Sequence, residues 1–130
     1  MSLRELDATL VKPLEGAIIR RLTAGSTIEA GEIIAMASDG AIDPADASSI
    51  TLGMGLGIAC GPTDYAAGER VPVVVLGPIL CLTGATIGDV VYVSDVAGEP
   101  EHTAGTETEI IGMPESATVL FVHPMWIEQS

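Results

Sequence analysis

Aromatic residues are scarce in this chain, where they make up 3% of 130 residues: one Phe, one Trp and two Tyr. A core built on stacked rings is therefore excluded, and Ile, Val, Leu, Met and Ala must fill the interior. A ligand groove paved with aromatic side chains is disfavoured for the same reason.

Positive charge is almost as scarce. The chain carries five Lys and Arg residues against 18 Asp and Glu, for a net charge of −13. Residues 1–21 have a net charge of +1, whereas residues 22–130 have only Arg70 against fifteen acids. A body this acidic is repelled by nucleic acid and by anionic membranes, so we expect neither as a partner. The N-terminal segment is the part best suited to docking on another surface.

Long hydrophobic runs and cysteine motifs are also missing. No stretch approaches the ~18–20 apolar residues of a membrane span, and no apolar signal-peptide core follows the first residues. Cys60 and Cys81 lie in apolar contexts and are expected to be buried free thiols, although their spacing leaves a disulfide open. Because there is no C-x-x-C pair, the sequence predicts no zinc site.

Catalytic signatures fail when they are tested. The glycines at 53, 55 and 57 do not complete G-x-G-x-x-G, and no G-x-S-x-G elbow exists. His102 and His123 lie far apart without an evident partner. Lys12 is the only lysine and lies outside the Gly31–Gly40 turn, which excludes a lysine-borne prosthetic group there. We therefore expect no enzyme activity, no cofactor and no metal.

What the chain does contain is a β pattern: fifteen glycines and eight prolines separate short β-branched runs. The clearest phrase is Gly31–Gly40, G-E-I-I-A-M-A-S-D-G, a strand that begins after a glycine turn and ends in an Asp-Gly hairpin signal. Gly88–Asp95, G-D-V-V-Y-V-S-D, repeats it. The pattern predicts an all-β fold, a small β-barrel or sandwich of short strands.

The repeat extends beyond that phrase and predicts two related half-units, residues 22–78 and 82–124, within one β-rich domain at 16–130. Each half-unit runs glycine turn, strand, polar loop, glycine-centred strand, turn, strand and proline. Within the first, Arg70–Leu76 is the most convincing strand, and we expect Gly77-Pro78 to end it.

Residues 1–15 do not follow the β pattern and are predicted to form an extended N-terminal arm. Leu3, Leu6, Leu10 and Val11 suggest a short amphipathic helix that Pro13 would end. Such a helix is too short to be stable alone, so the arm is either ordered by a partner or frayed.

Three phrases of the first half-unit, G-E-I-I-A-M-A-S-D-G, G-L-G-I-A-C and A-G-E-R-V-P-V-V-V-L-G-P-I, resemble the capsid decoration (cement) proteins of tailed bacteriophages. The second half, with G-D-V-V-Y-V-S-D, I-I-G-M and T-V-L-F-V-H-P, resembles the matching half of the longer members. The resemblance covers residues 22–124.

This resemblance implies a structural virion protein without catalytic residues. It would be made in the host cytoplasm and bind the outer surface of an expanded capsid as a homotrimer, where it would stabilise contacts between capsomers. Its partners would be the major capsid protein and copies of itself. The arm residues expected to bind the capsid are Leu3, Arg4, Leu6, Leu10, Val11, Lys12 and Pro13. The alternative is a small β-barrel binding module, displayed on a virion, for a glycan or host-surface ligand.

Overall fold

The computed structural model describes residues 2–49 and 52–125, and it confirms the all-β class. One short 3₁₀ turn, Ala8–Leu10, precedes all ten strands. The ten strands are β1 Lys12–Pro13, β2 Ile18–Thr23, β3 Ile33–Met36, β4 Ile42–Pro44, β5 Gly57–Ala59, β6 Arg70–Leu80, β7 Val91–Val93, β8 Pro100–Glu101, β9 Ile110–Pro114 and β10 Val119–Met125.

The strands form one antiparallel sheet that curls into a half-barrel. The main path has the order β4-β3-β5-β6-β10-β9-β7-β8, and β1 and β2 also pair with β6. The path is palindromic about the β6–β10 pair, because β4-β3-β5-β6 in the first half has the same connectivity as β8-β7-β9-β10 in the second. We call these the first and second halves of the sheet.

The register of pairing is also the same in both halves. Arg20 of β2 lies opposite Val73 of β6, and Leu80 of β6 lies opposite Val119 of β10. Aligning Leu22 with Leu82 and Pro78 with Pro124 places both pairs at corresponding positions. The end of β6 therefore pairs with β10 in the second half as β2 pairs with β6 in the first half.

The prediction that the strand beginning at Arg70 ends at Gly77-Pro78 is wrong. β6 continues to Leu80, and its two ends pair with different neighbours. Gly77 has a φ of +106°, which is available to glycine at little cost. The chain can therefore change direction there and still offer its final residues to β10.

Two clusters of buried apolar side chains hold the sheet. The larger one, the shared core, lies between the halves and includes Ile58, Val74, Ile111 and Leu120. The smaller one, the first-half core, lies on the other face of the first half. Its members are Ala24, Ile28, Ile34, Ile42, Ala59, Tyr65, Val71 and Val73.

The structure also corrects the prediction for the N-terminal segment. Residues 2–14 do not extend from the body as an arm, and no amphipathic helix forms beyond the 3₁₀ turn. β1 pairs with the end of β6, and Arg4 bridges to Leu82. The physical reason is burial, since Leu3 and Val11 complete the shared core instead of forming one side of a helix.

Candidate functional site

The residues predicted to bind a capsid fall into three groups: buried, exposed and half-buried. Leu3 and Val11 are buried in the shared core. Leu6 and Leu10 are exposed around the 3₁₀ turn, with Leu6 75% exposed. Lys12 is exposed on β1; Arg4 and Pro13 are half-buried. Only the exposed group is placed to contact another protein without rearrangement of the N-terminal segment.

Arg4 joins the two halves of the molecule. Its Nε donates a 2.6 Å hydrogen bond to Glu99 Oε2 in the second half. Its other nitrogens reach the first half, where Nη1 donates to the Ala30 carbonyl at 3.3 Å and Nη2 lies 3.7 Å from Glu29 Oε2. The side chain is only 11% exposed, so Arg4 holds the segment in place from a largely desolvated position.

Glu32 lies beside this cluster and is buried. Burial raises its pKa from 4.5 to about 7, although the Glu29 N–H, which donates to its Oε1 at 2.8 Å, and the charge of Arg4 both favour the carboxylate. The side chain packs against the backbone of Gly98, where a Cβ would overlap the carboxylate. This cluster is an internal junction of the fold, since its charged groups face one another.

The second half leaves an apolar groove on the surface, which we call the second-half groove. Its volume is about 260 Å³. Met113 lies directly opposite Phe121 across β9 and β10, and both are exposed. The His123 ring stacks against Phe121 at a centroid distance of 6.5 Å. The full lining is Val90, Ile110, Gly112, Met113, Phe121, His123 and Met125.

A smaller groove of about 210 Å³ lies in the first half and is lined by Arg20, Leu22, Met36, Leu56 and Val75. Val75 corresponds to Phe121 when Pro78 is aligned with Pro124. The neighbouring Val71 and Val73 are fully buried by the first-half core. The face of the first half is therefore covered by buried side chains, whereas the corresponding face of the second half is exposed.

β2 is an open edge of the sheet. It pairs with β6 on one side, and in the part of the chain that the structure describes no strand pairs with its other side. Ile18, Ile19, Arg20 and Arg21 are all exposed. Neither Arg20 nor Arg21 forms a salt bridge within residues 2–49 and 52–125. Arg70, whose guanidinium donates to the Arg21 carbonyl at 2.8 Å, adds a third positive charge beside them.

The thiols and His102 have structural surroundings. Cys60 and Cys81 are buried and free, as predicted. Burial raises the pKa of Cys60 to about 11 and that of Cys81 further, so neither is a thiolate near neutral pH. His102 Nε2 accepts from the Thr86 N–H at 2.9 Å, and Nδ1 lies 3.1 Å from the Val90 carbonyl. That ring therefore ties two loops together.

Among residues 2–49 and 52–125, no three His, Cys, Asp or Glu side chains are grouped so that they could hold a metal ion. No helix among these described residues is long and apolar enough to cross a membrane. Compared with known proteins, the chain matches no protein-family model and no curated protein.

Sequence reasoning missed both the second-half groove and the open edge at β2. The groove had a signal, because β10 alternates buried Leu120 and Val122 with exposed Phe121 and His123. The apolar residue on the outer side of that alternation indicates an uncovered face. The edge had none, because which strands pair with β2 depends on tertiary structure.

Proposed function

We propose that this protein is a structural virion protein that binds the outer surface of an expanded phage capsid as a homotrimer and stabilises the contacts between capsomers. The observation that carries the proposal is the uncovered apolar face of the second half. Met113, Phe121 and Met125 are each at least 40% exposed there. Apolar surface of this kind on a small protein marks a site of protein–protein contact.

The charge distribution supports the outer surface as the location. A net charge of −13 disfavours contact with packaged DNA and keeps an exposed protein soluble. The exposed residues of the N-terminal segment, Leu6, Leu10 and Lys12, are the ones we propose for contact with the major capsid protein. The proposed role requires no catalysis, no cofactor and no membrane.

Two measurements test the proposal. Sedimentation velocity of the purified chain should give the mass of a trimer, and a strict monomer at high concentration contradicts it. Binding to expanded capsids of the parent phage should weaken in Leu6→Ser/Leu10→Ser/Lys12→Glu. Ile87→Ser is the matched control, because Ile87 is equally apolar and exposed but lies in a turn of the second half. Unchanged occupancy in the triple variant refutes the role of these residues.

The second candidate is the displayed binding module for a glycan or host-surface ligand. It is favoured by one observation, the exposed Phe121 ring stacked on His123 in a shallow groove. The remaining side chains of the groove are aliphatic or Met, so His123 alone offers side-chain hydrogen bonds, which fits a protein partner better than a sugar. A glycan array without hits removes this candidate.

A further inference from the structure

We infer that the open edge at β2 docks against the second half of a neighbouring copy of this chain, so that copies associate head to tail through the second-half groove. The inference rests on the homotrimer proposed above and assigns its two contacting surfaces. The partner that we propose for the second-half groove is a second copy of this chain. The argument uses the charges of the two surfaces, their exposed apolar residues and the open edge of the sheet.

Charge separates the two surfaces. Arg20 and Arg21 are consecutive residues of β2, and Arg70 at the start of β6 donates to the Arg21 carbonyl. Residues 82–125 contain seven acids and neither Lys nor Arg. Exposed Asp89 and Glu115 lie close in sequence to the groove residues Val90 and Met113. The three arginines and the acidic second half are complementary in charge when two copies meet in this orientation.

Apolar surface matches in the same orientation. Ile18 and Ile19 are exposed on β2, with Leu76 exposed directly opposite Ile18. The second-half groove offers Met and Phe side chains, which adapt to aliphatic partners. The contact would therefore cover the exposed apolar residues of both surfaces at once.

The internal repeat explains why β2 is left open. In the second half, Leu80 lies between Val119 and Lys12, so β1 covers the outer edge of β6. Arg20 occupies the corresponding position in the first half, and no β1-like strand lies beside it in the part of the chain described. The fold thus covers one of two equivalent edges from within the chain and leaves the other to a partner.

Two different surfaces in contact make a heterologous interface, which closes into a ring when the rotation between copies fits. A three-membered ring uses every β2 edge and every second-half groove. An isologous dimer through the groove alone would leave β2 open, and that difference makes the two arrangements separable.

The test uses two variants and their mixture, with association followed by sedimentation velocity. Arg20→Glu/Arg21→Glu alters the edge, and Met113→Lys/Met125→Lys alters the groove. Each alone should raise the dissociation constant roughly 100-fold. Mixed in equal amounts they should form a 1:1 heterodimer, because the intact edge of one variant fits the intact groove of the other. The ring cannot close, since the remaining edge and the remaining groove are both altered. Lys12→Glu and Ile87→Lys are the controls and should associate as the unmodified chain does. A cooperative thermal unfolding transition and an unchanged circular dichroism spectrum of the dissociated variants exclude misfolding; some fall in melting temperature is expected from the lost association.

The outcomes separate this inference from the proposed function. If the unmodified chain is trimeric and Arg20→Glu/Arg21→Glu remains trimeric, the inference is wrong while the proposed homotrimer stands. If both variants dissociate but their mixture gives no 1:1 heterodimer, head-to-tail contact is overturned. A monomeric unmodified chain that still binds capsids overturns self-association and this inference but not capsid binding.

Discussion

The two halves of the sheet share one connectivity but differ in what covers their outer faces. In the first half, the segments carrying Ala24, Ile28 and Tyr65 cover the strands and build the first-half core. In the second half, the corresponding face exposes Phe121 where the first half has half-buried Val75. The same topology therefore builds a second core in one half and leaves apolar surface exposed in the other.

The edges of the two halves show the reverse arrangement: the second half has the covered edge and the first half has the open one. The N-terminal segment covers the edge of the second half through β1, while β2 leaves the edge of the first half open. Each half thus has one protected surface and one available surface. The difference teaches that a repeated unit becomes an asymmetric molecule through the segments added to it, here the N-terminus and the loops around residues 24–28 and 65.

The largest expected effect tests whether the halves are equivalent inside. A Cβ at Gly57 would overlap the Val74 carbonyl, and a Cβ at Gly112 would overlap the Phe121 carbonyl. Gly57→Ala and Gly112→Ala should therefore each reduce the free energy of unfolding by about 5 kcal/mol or prevent folding. Urea denaturation measures both. Gly40→Ala is the comparison without a steric overlap: Gly40 has open space around it but a φ of +84°, so Ala there should cost only about 1 to 2 kcal/mol. A large loss in only one half would break the equivalence.

The next effect concerns the segment that covers the second half. Arg4→Met keeps the apolar stem but leaves Glu99, Glu29 and Glu32 without their cation. We expect the free energy of unfolding to fall by roughly 3 to 5 kcal/mol, as when one partner of a buried ion pair is removed. Chemical denaturation measures it, with exposed Lys12→Met as the matched control. If both variants behave alike, Arg4 does not hold the segment.

The junction between the halves should make stability depend on pH. The pKa of Glu32 is about 7 in the folded protein against an ordinary 4.5. The folded state therefore holds the proton more tightly, and this contribution to stability is lost as the pH rises from about 4.5 to 7. Glu32→Gln cannot ionise, so at pH 8 it should be more stable than the unmodified chain by up to about 3 kcal/mol.

Thermal and urea unfolding between pH 4.5 and pH 8 measure that difference. Near pH 4.5 the two proteins should be equally stable, because Glu32 is then protonated in the folded state. Glu115→Gln, which alters an exposed carboxylate of the second half, should track the unmodified chain throughout. A constant offset of Glu32→Gln at every pH contradicts the prediction.

The smallest expected effect concerns Tyr65, one of the residues that cover the outer face of the first half. The Tyr65 hydroxyl donates a buried 2.6 Å hydrogen bond to the Cys60 carbonyl in the first half. Tyr65→Phe should cost about 1 to 2 kcal/mol of unfolding free energy, because the carbonyl loses its buried donor. Tyr92→Phe, in the second half, should change stability by less than about 0.5 kcal/mol. Equal losses would mean that the buried Tyr65 hydrogen bond adds no distinct stabilisation to the first half.

Much of the fold could be predicted from local sequence. The strands at Ile33–Met36 and Val91–Val93, and the repeat that relates them, follow from glycine turns and β-branched runs, which act over a few residues. The alternation in β10 also carries the information that one of its faces is uncovered. Buried free thiols at Cys60 and Cys81 follow from their apolar neighbours.

The path of the N-terminal segment could not be predicted in this way. Leu3 and Leu6 have the same side chain and lie three residues apart, yet one is buried in the shared core and the other is 75% exposed. Their helical spacing suggested a common face. The outcome depends on the backbone pairing of Arg4 with Leu82, a contact between residues distant in sequence.

By itself, then, the sequence determined the all-β class, the strand-forming segments, the repeat and the acidic surface, because composition and short-range spacing control these features. Tertiary structure alone decided that β6 serves both halves, that β1 covers one edge and β2 leaves the other open, and that Arg4 faces Glu99. These depend on long-range pairing and desolvation, whose free energies exist only once the chain has closed on itself.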